Sequence, residues 1–279
     1  ASTSVAAPAI SQVAENAGKL EVSADADKAF QTIKGEGFEV QFDMKQGTIN
    51  KLVYGGESVI VPGYGPRLNA FRAFVSNDNW CYQPWFANGL HNLKHHAENA
   101  QVIKEKNGNV KITCTVVSQA PNAARLQSKN GRYDSGIHTL EENTDRPFGA
   151  DDFKFTTNQI WTIYPDGSIE LQAAITSNNP GIVLARLGYE MGVPAQYDRF
   201  AYYGRGPVDN YNDRKTGQFI EQFSSTVAEQ FTNWPKPQQM GNHEETRWTS
   251  LSNAKGKGIL VVNEKPYAVS ALNHSAMDM

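Results

Sequence analysis

A strict two-residue alternation of apolar and polar side chains restricts this chain more than any other feature. It begins at Phe38, with Phe38, Val40 and Phe42 on one face and Glu39 and Gln41 on the other. Successive strand side chains point to opposite faces, so this is the period of a half-buried strand and not of a helix. Lys45-Gln46-Gly47 then turns the chain into residues 49–54. The alternation returns at Val110, Ile112, Cys114 and Val116, and again from Trp161 and Ile163 through Tyr164-Pro165-Asp166-Gly167 into Ile169, Leu171, Ala173 and Ile175. Two alternating runs around a Pro-Asp-Gly turn read as a hairpin. Shorter runs at 184–188, 200–203, 258–262 and 267–271 continue the series. One helix candidate lies around residues 80–90, limited by Pro84. The expectation is an all-β antiparallel sandwich with less than about a tenth helix, against the ~30–35% usual for globular proteins.

At 279 residues the chain exceeds the ~200–250 that all-β domains commonly reach as one body. Residues 1–30, rich in Ala, Ser, Val and Asp without a sustained period, read as a linker or tail from a preceding domain. Residues 31–279 then form the sandwich domain. The last apolar run, 267–272, predicts a domain cut short at its C-terminus, because a strand that begins to pair needs a partner. A polar stretch over 120–152 is longer than the ~12–15 residues of an ordinary structureless loop and reads as a functional loop or an insertion.

Charge excludes several classes of partner. The 26 basic and 29 acidic residues leave a net charge of −3, with no basic stripe to meet phosphates, which argues against nucleic acid. No stretch approaches the ~20 apolar residues of a membrane span. The start, ASTSVAAPAI, lacks the charged and apolar regions of a signal peptide. Cys81 and Cys114 have neither a CxxC spacing nor paired histidines nearby, so no metal site is expected, and Cys114 in its alternating run reads as a small buried side chain.

Three clusters concentrate Arg, Asn, Asp, Gly and aromatic residues beyond what strands require. The first spans residues 69–80 and contains Arg72, Asn77, Asp78, Asn79 and Trp80. The second spans 202–214 and contains Tyr203, Arg205, Asp209, Asn210, Tyr211, Asp213 and Arg214. The third spans 234–243 with Arg247 and Trp248 following. Planar amides, carboxylates and guanidinium groups bond pairs of sugar hydroxyls, and aromatic faces cover the apolar side of a sugar ring. The same residues also suit paired charges that lock loops between sheets, since a lone buried charge is too costly. The structural reading comes first for Arg205, with Asp209, Asp213 and Asp78 as its expected partners. Gly204-Arg205-Gly206-Pro207 lacks a phosphate-loop pattern, so its glycines are expected to serve tight backbone turns.

In order and content the three clusters resemble the C-terminal domain of family 2 β-galactosidases. That family carries RAPxDND-like, YxGRGPxENYxDR-like and PQExGxR-like segments, and the GRGP…NY.DR part is the most specific. Leu184-Ala185-Arg186-Leu187-Gly188 with Met191 and Pro194 resembles the family's strand between the first two motifs, so the likeness covers roughly residues 35–275. The chain departs from the pattern in several places. Ala73-Phe74-Val75-Ser76 replaces Ala-Pro-x-Asp, Asp209 and Gln239 stand where Glu is usual, and His243 replaces an Arg. Gln239 has no carboxyl group to exchange a proton. The family's glycine-rich Ser-Trp stretch, which supplies an aromatic contact to the sugar, is not reached.

The resemblance implies a galactose-mutarotase-like supersandwich packed beside a catalytic barrel in a homo-oligomeric, retaining β-galactosidase. A retaining glycosidase needs two carboxyl groups ~5–5.5 Å apart. The resemblance places both in the barrel, so no catalytic residue is assigned here and the chain alone is expected to be inactive. It implies Asn77, Asp78, Asn79 and Trp80 at the mouth of the galactoside site. Arg72, Tyr203, Arg205, Asp209, Asn210, Tyr211, Asp213 and Arg214 serve as structural motif residues. No cofactor is expected in this chain, and Mg and Na belong to the barrel of full-length relatives. Two other classes compete. A free-standing aldose epimerase needs a His acid and a carboxylate base, yet His91, His95, His96, His138, His243 and His274 form no such motif, and His95-His96 reads as a solvated loop pair. The other is a non-catalytic carbohydrate-binding module. The compartment, bacterial cytoplasm or periplasm, stays open.

Overall fold

The computed structural model describes residues 18–128, 138–236 and 238–279. It is 51% strand and 6% helix, and its sheets are antiparallel. The described residues divide into two compact units, one ending at Gly192 and the other running from Val193 to Met279.

The first unit opens with a five-stranded meander of β1 (Glu21–Ala24), β2 (Phe30–Gly35), β3 (Phe38–Asp43), β4 (Thr48–Tyr54) and β5 (Glu57–Ser58), hydrogen-bonded in that order. The linker expected over 1–30 is therefore already sheet from Glu21. Val22 pairs with the buried Ile33, and four residues are too few for their period to show in the sequence. Residues 1–17 lie outside the described residues. The turn between β3 and β4 is made by Asp43, whose carboxylate accepts from the amides of Lys45 and Gln46 at 2.8 and 2.9 Å, and by Gly47 at φ +70°.

There follow β6 (Arg67–Asn69), a 3-10 turn (Ser76–Trp80) and a short helix, α1 (Tyr82–Ala87), with Pro84 in its first turn where its missing N–H costs nothing. The next strands are β7 (Lys94–Lys104), β8 (Val110–Gln119), β9 (Asn122–Ser128), β10 (His138–Pro147), β11 (Phe155–Ile163), β12 (Ile169–Ser177) and β13 (Gly188–Glu190). A four-stranded sheet runs β12-β11-β8-β7 and packs against the meander. Phe42 meets Trp161 edge to face at 5.7 Å, Tyr54 donates to the Gly167 carbonyl at 2.6 Å, and the Ala97 amide donates to Lys45 at 2.7 Å. The core between them holds Val40, Phe42, Ile112, Val116, Phe155 and Ile163, all buried. This is the expected two-layer sandwich.

Three local expectations are corrected. The polar stretch 120–152 contains the β9–β10 hairpin, anchored by the buried Ala124 and Leu126, while β10 is largely exposed and so reads as polar in sequence. The strand expected at 184–188 forms only at Gly188–Glu190, where Tyr189 pairs with Leu68 of β6. His95 and His96 lie on β7. His95 is half-buried, with Nδ1 2.9 Å from Ser118 Oγ, and burial followed by the charges of Arg67 and Lys94 pushes its pKa down to about 4.

The second unit is a four-stranded sheet ordered β15-β14-β16-β17, from β14 (Arg199–Gly206), β15 (Phe219–Thr226), β16 (Asn242–Ser252) and β17 (Gly258–Ser270). Phe200 and Tyr202 of β14 point to one face, where Phe223, Val227, Leu251, Val269 and Ala271 close a core around them. Gly204 lies within β14 and Gly206 is its last residue, paired with Phe219, so both belong to the strand rather than to a turn. A Cβ at Gly204 would stand 2.6 Å from Thr246 Oγ1, and one at Gly206 would overlap Tyr202 and Phe223, so absent side chains let neighbours approach.

Candidate functional site

In the first unit the residues of the first cluster close the 3-10 turn. Arg72 reaches Asp78 with both arms of its guanidinium, Nη1 to Oδ2 at 2.8 Å and Nη2 to Oδ1 at 3.0 Å. Asp78 Oδ2 also accepts from the Val75 amide at 2.7 Å, and Arg72 Nη1 donates to the Ala73 carbonyl at 2.8 Å. Both side chains are largely buried and the guanidinium lies 5.5 Å from the Trp85 ring. Two charges taken from water are thus paired and bonded in fork geometry, the arrangement in which a buried ion pair is tolerated. Asp78 is therefore committed to the turn. Asn77 is exposed, Asn79 lies in the turn, and Trp80 is 72% exposed. Phe74 stacks on Tyr82 at 5.2 Å, which gives this departure from the family's proline a packing partner.

In the second unit the other two clusters meet. The Asn210 amide donates to the Asn242 carbonyl, and Asn242 Nδ2 donates back to the Asn210 carbonyl, each at 2.7 Å. The wholly buried Asn210 side chain donates to the carbonyls of Arg205 and Val208 at 2.9 and 3.0 Å and accepts from the Glu244 amide at 2.9 Å. Arg205 does not pair with Asp209 or Asp213, and its other expected partner, Asp78, is held by Arg72. Arg205 Nε faces Glu245 Oε1 at 3.0 Å, and Nη1 donates to the carbonyls of Gln218 at 2.8 Å and Lys215 at 3.3 Å. The Arg205 and Lys215 cations hold the Glu245 carboxyl below the usual carboxylate range, against a smaller opposing effect of burial.

Asp209 belongs to Arg214, at 3.0 Å, and accepts from the Gly241 amide at 3.3 Å. The Arg214 guanidinium lies 5.5 Å over the Tyr211 ring, and Arg247 lies 5.3 Å over Tyr203. Asp213 is exposed. His243 is buried, stacked on Tyr202 at 4.1 Å, with Nε2 2.6 Å from Gln230 Oε1 and Nδ1 3.2 Å from the Arg205 carbonyl. Burial holds its pKa below the ordinary histidine value. Gln239 is buried, and its Oε1 has no partner among the described residues.

Glu245 and Asn242 tie the clusters together: Asn242 lies inside the third cluster with no role assigned to it from the sequence, and Glu245 was not singled out. Glu245 carries no local signal apart from a place in a charged run, because its partner lies forty positions earlier. Among the described residues no three His, Cys, Asp or Glu side chains converge as a metal site would require, and no helix is long and apolar enough to cross a membrane.

Fold and loops together define the class: an all-β antiparallel domain whose loops carry Arg–carboxylate pairs, an asparagine clasp and an exposed indole. Residues 34–279 match the family described as the β-galactosidase small chain, and the chain belongs to that family. It is 24% identical over 258 residues to the β-galactosidase of Priestia megaterium and 25% identical over 256 residues to that of Halalkalibacterium halodurans. These alignments take in 92% and 88% of this chain. The β-galactosidase of Kluyveromyces lactis is 22% identical over 261 residues. The chain spans 22% of the length of each of these relatives.

Proposed function

We propose that this chain is the small-chain domain of a retaining β-galactosidase, shaping the galactoside site beside a catalytic barrel that lies outside these 279 residues. The observation that carries the reading is the turn at 76–80. A largely buried ion pair rigidifies it, yet the turn leaves a tryptophan 72% in water. An indole held out on a fixed turn gives up the stabilisation of burial but presents a flat apolar face at low entropic cost to a partner. In this reading Trp80 covers the apolar face of a sugar or of the barrel, Asn77 bonds hydroxyls, and Arg72 with Asp78 positions both. No proton transfer and no cofactor is assigned to this chain. The epimerase alternative is not favoured, since the relatives are named β-galactosidases over most of this chain's length.

The test uses the full-length parent enzyme and a chromogenic β-galactoside. Trp80→Ala is expected to raise KM roughly tenfold, the loss of about 1.4 kcal/mol of contact, with a smaller change in kcat. Unchanged kinetics in both Trp80→Ala and Asn77→Ala would remove the turn from the site. The isolated 279-residue chain is expected to show no turnover. Hydrolysis that survives repurification and disappears on mutating one of its own Asp or Glu residues would overturn the reading.

A further inference from the structure

The four-stranded sheet of the first unit treats its two edges differently. At one edge β7 carries the usual protection against strand addition: its register with β8 shifts between Glu98 and Gln101, Asn99 has φ +54°, and Lys94, Glu98 and Lys104 are exposed. At the other edge β12 has none of these. Its nine residues, Ile-Glu-Leu-Gln-Ala-Ala-Ile-Thr-Ser, pair with β11 in unbroken register from Ile163↔Ile169 to Phe155↔Ser177, with one charge and no Lys, Arg, Pro or Gly. Among the described residues no strand pairs with its outer side. The core face of the sheet also runs on past its cover. Thr157, Gln159, Trp161 and Ile163 of β11 are buried, but their neighbours Ile175, Leu171 and Ile169 are only partly covered and Ala173 is exposed.

We propose that β12 is a self-pairing edge through which two copies of this chain join their sheets into one of eight strands. A twofold axis makes the two strands antiparallel, and directly opposed side chains must share a face, so the axis passes through a residue. Centred on Ala173, it opposes Ile169 to Ser177, Glu170 to Thr176, Leu171 to Ile175, Gln172 to Ala174, and Ala173 to its own copy. All nine residues then pair. The branched side chains Leu171 and Ile175 meet across the join, the smallest side chains lie at the axis, and the sole carboxylate faces a hydroxyl rather than its own copy. Glu170 is already bonded within its own chain by Tyr164 and Gln172, at 2.6 and 2.9 Å. The join places the half-covered row of one copy beside that of the other. It does not depend on the galactoside reading.

The experiment is sedimentation velocity on the 279-residue chain across the micromolar range, with Ala173→Glu and Ala173→Lys measured singly and mixed one to one. The wild type is expected to dimerise. Each variant opposes like charges at the axis and should raise the dimer dissociation constant at least about tenfold, with an unchanged circular dichroism spectrum because Ala173 is exposed. Mixing the two should restore association. Ala173→Cys should form an intermolecular disulfide on oxidation, since the native cysteines are buried. A monomeric wild type, a dimer indifferent to Ala173→Glu, a mixture that stays monomeric, or a Cys variant that fails to cross-link would each overturn the proposal. Any of these would leave β12 to a strand from elsewhere in a longer polypeptide or to no partner.

Discussion

Arg205→Ala tests whether the second and third clusters are scaffold or ligand contact. The Arg205 side chain is 22% exposed and that of Glu245 29%, so the pair lies between the two limits. Removing one member of a fully buried pair costs ~3–5 kcal/mol, and an exposed pair contributes ~0–1 kcal/mol. To a solvent-discounted ion pair must be added the two charge-assisted bonds to the Gln218 and Lys215 carbonyls, of which only the one at 2.8 Å has full strength. The expected loss is about 2–3 kcal/mol, a fall in melting temperature of roughly 5–10 °C by calorimetry. Arg205→Lys, which keeps the charge without the fork, should recover only part of it. The pH dependence follows from Glu245. Its folded pKa lies below the ordinary 4.5, so its contribution is complete above that value and is lost as pH falls through the folded pKa. The gap between wild type and Glu245→Gln should therefore close in acid. An unchanged melting temperature in Arg205→Ala, with weakened galactoside affinity in the parent enzyme, would refute the scaffold argument and make Arg205 a direct contact.

His95, neutral in the fold with a pKa near 4 against an ordinary 6.5, should make stability fall as pH drops from 6.5 towards 4, because the unfolded chain binds the proton first. The effect should reach at most about 3 kcal/mol and shrink in His95→Gln, measured by urea titration at several pH values. Cys81 and Cys114 are buried, and burial pushes the Cys114 thiol up to about 11, so native protein should resist a thiol reagent at pH 8 and react only in denaturant. Rapid native labelling of Cys114 would contradict its placement on the core face of β8. Gly47→Ala should cost at least about 2 kcal/mol by chemical denaturation, since it combines a φ of +70° with a Cβ that overlaps Val116. A neutral substitution would mean that the two sheets are looser than described.

How legible the chain was depended on how local each signal is. The strands containing Phe38, Val40 and Phe42, or Ile112, Cys114 and Val116, were readable because one face is buried and the other wet. The Tyr164–Ser168 turn was readable because Gly167 must take a positive φ, which it does at +86°. By contrast, β7 has a bulge at residues 99–100 and exposed charges, β10 is almost wholly exposed, and β1 is four residues long, so none of them writes a period into the sequence.

The three polar clusters could be found from composition, and the family could be recognised from their order, because both are properties of the chain read in line. Which arginine takes which carboxylate could not. Arg72 and Asp78 are six positions apart and close a local turn, whereas Arg205 passes over Asp209 and Asp213 to reach Glu245 on another strand. The sequence by itself determined that strands form, where several of them turn and which residues carry charge. Only the tertiary structure decided the partners, because an ion pair depends on distance in space, and that distance is set by how β14 and β16 pair.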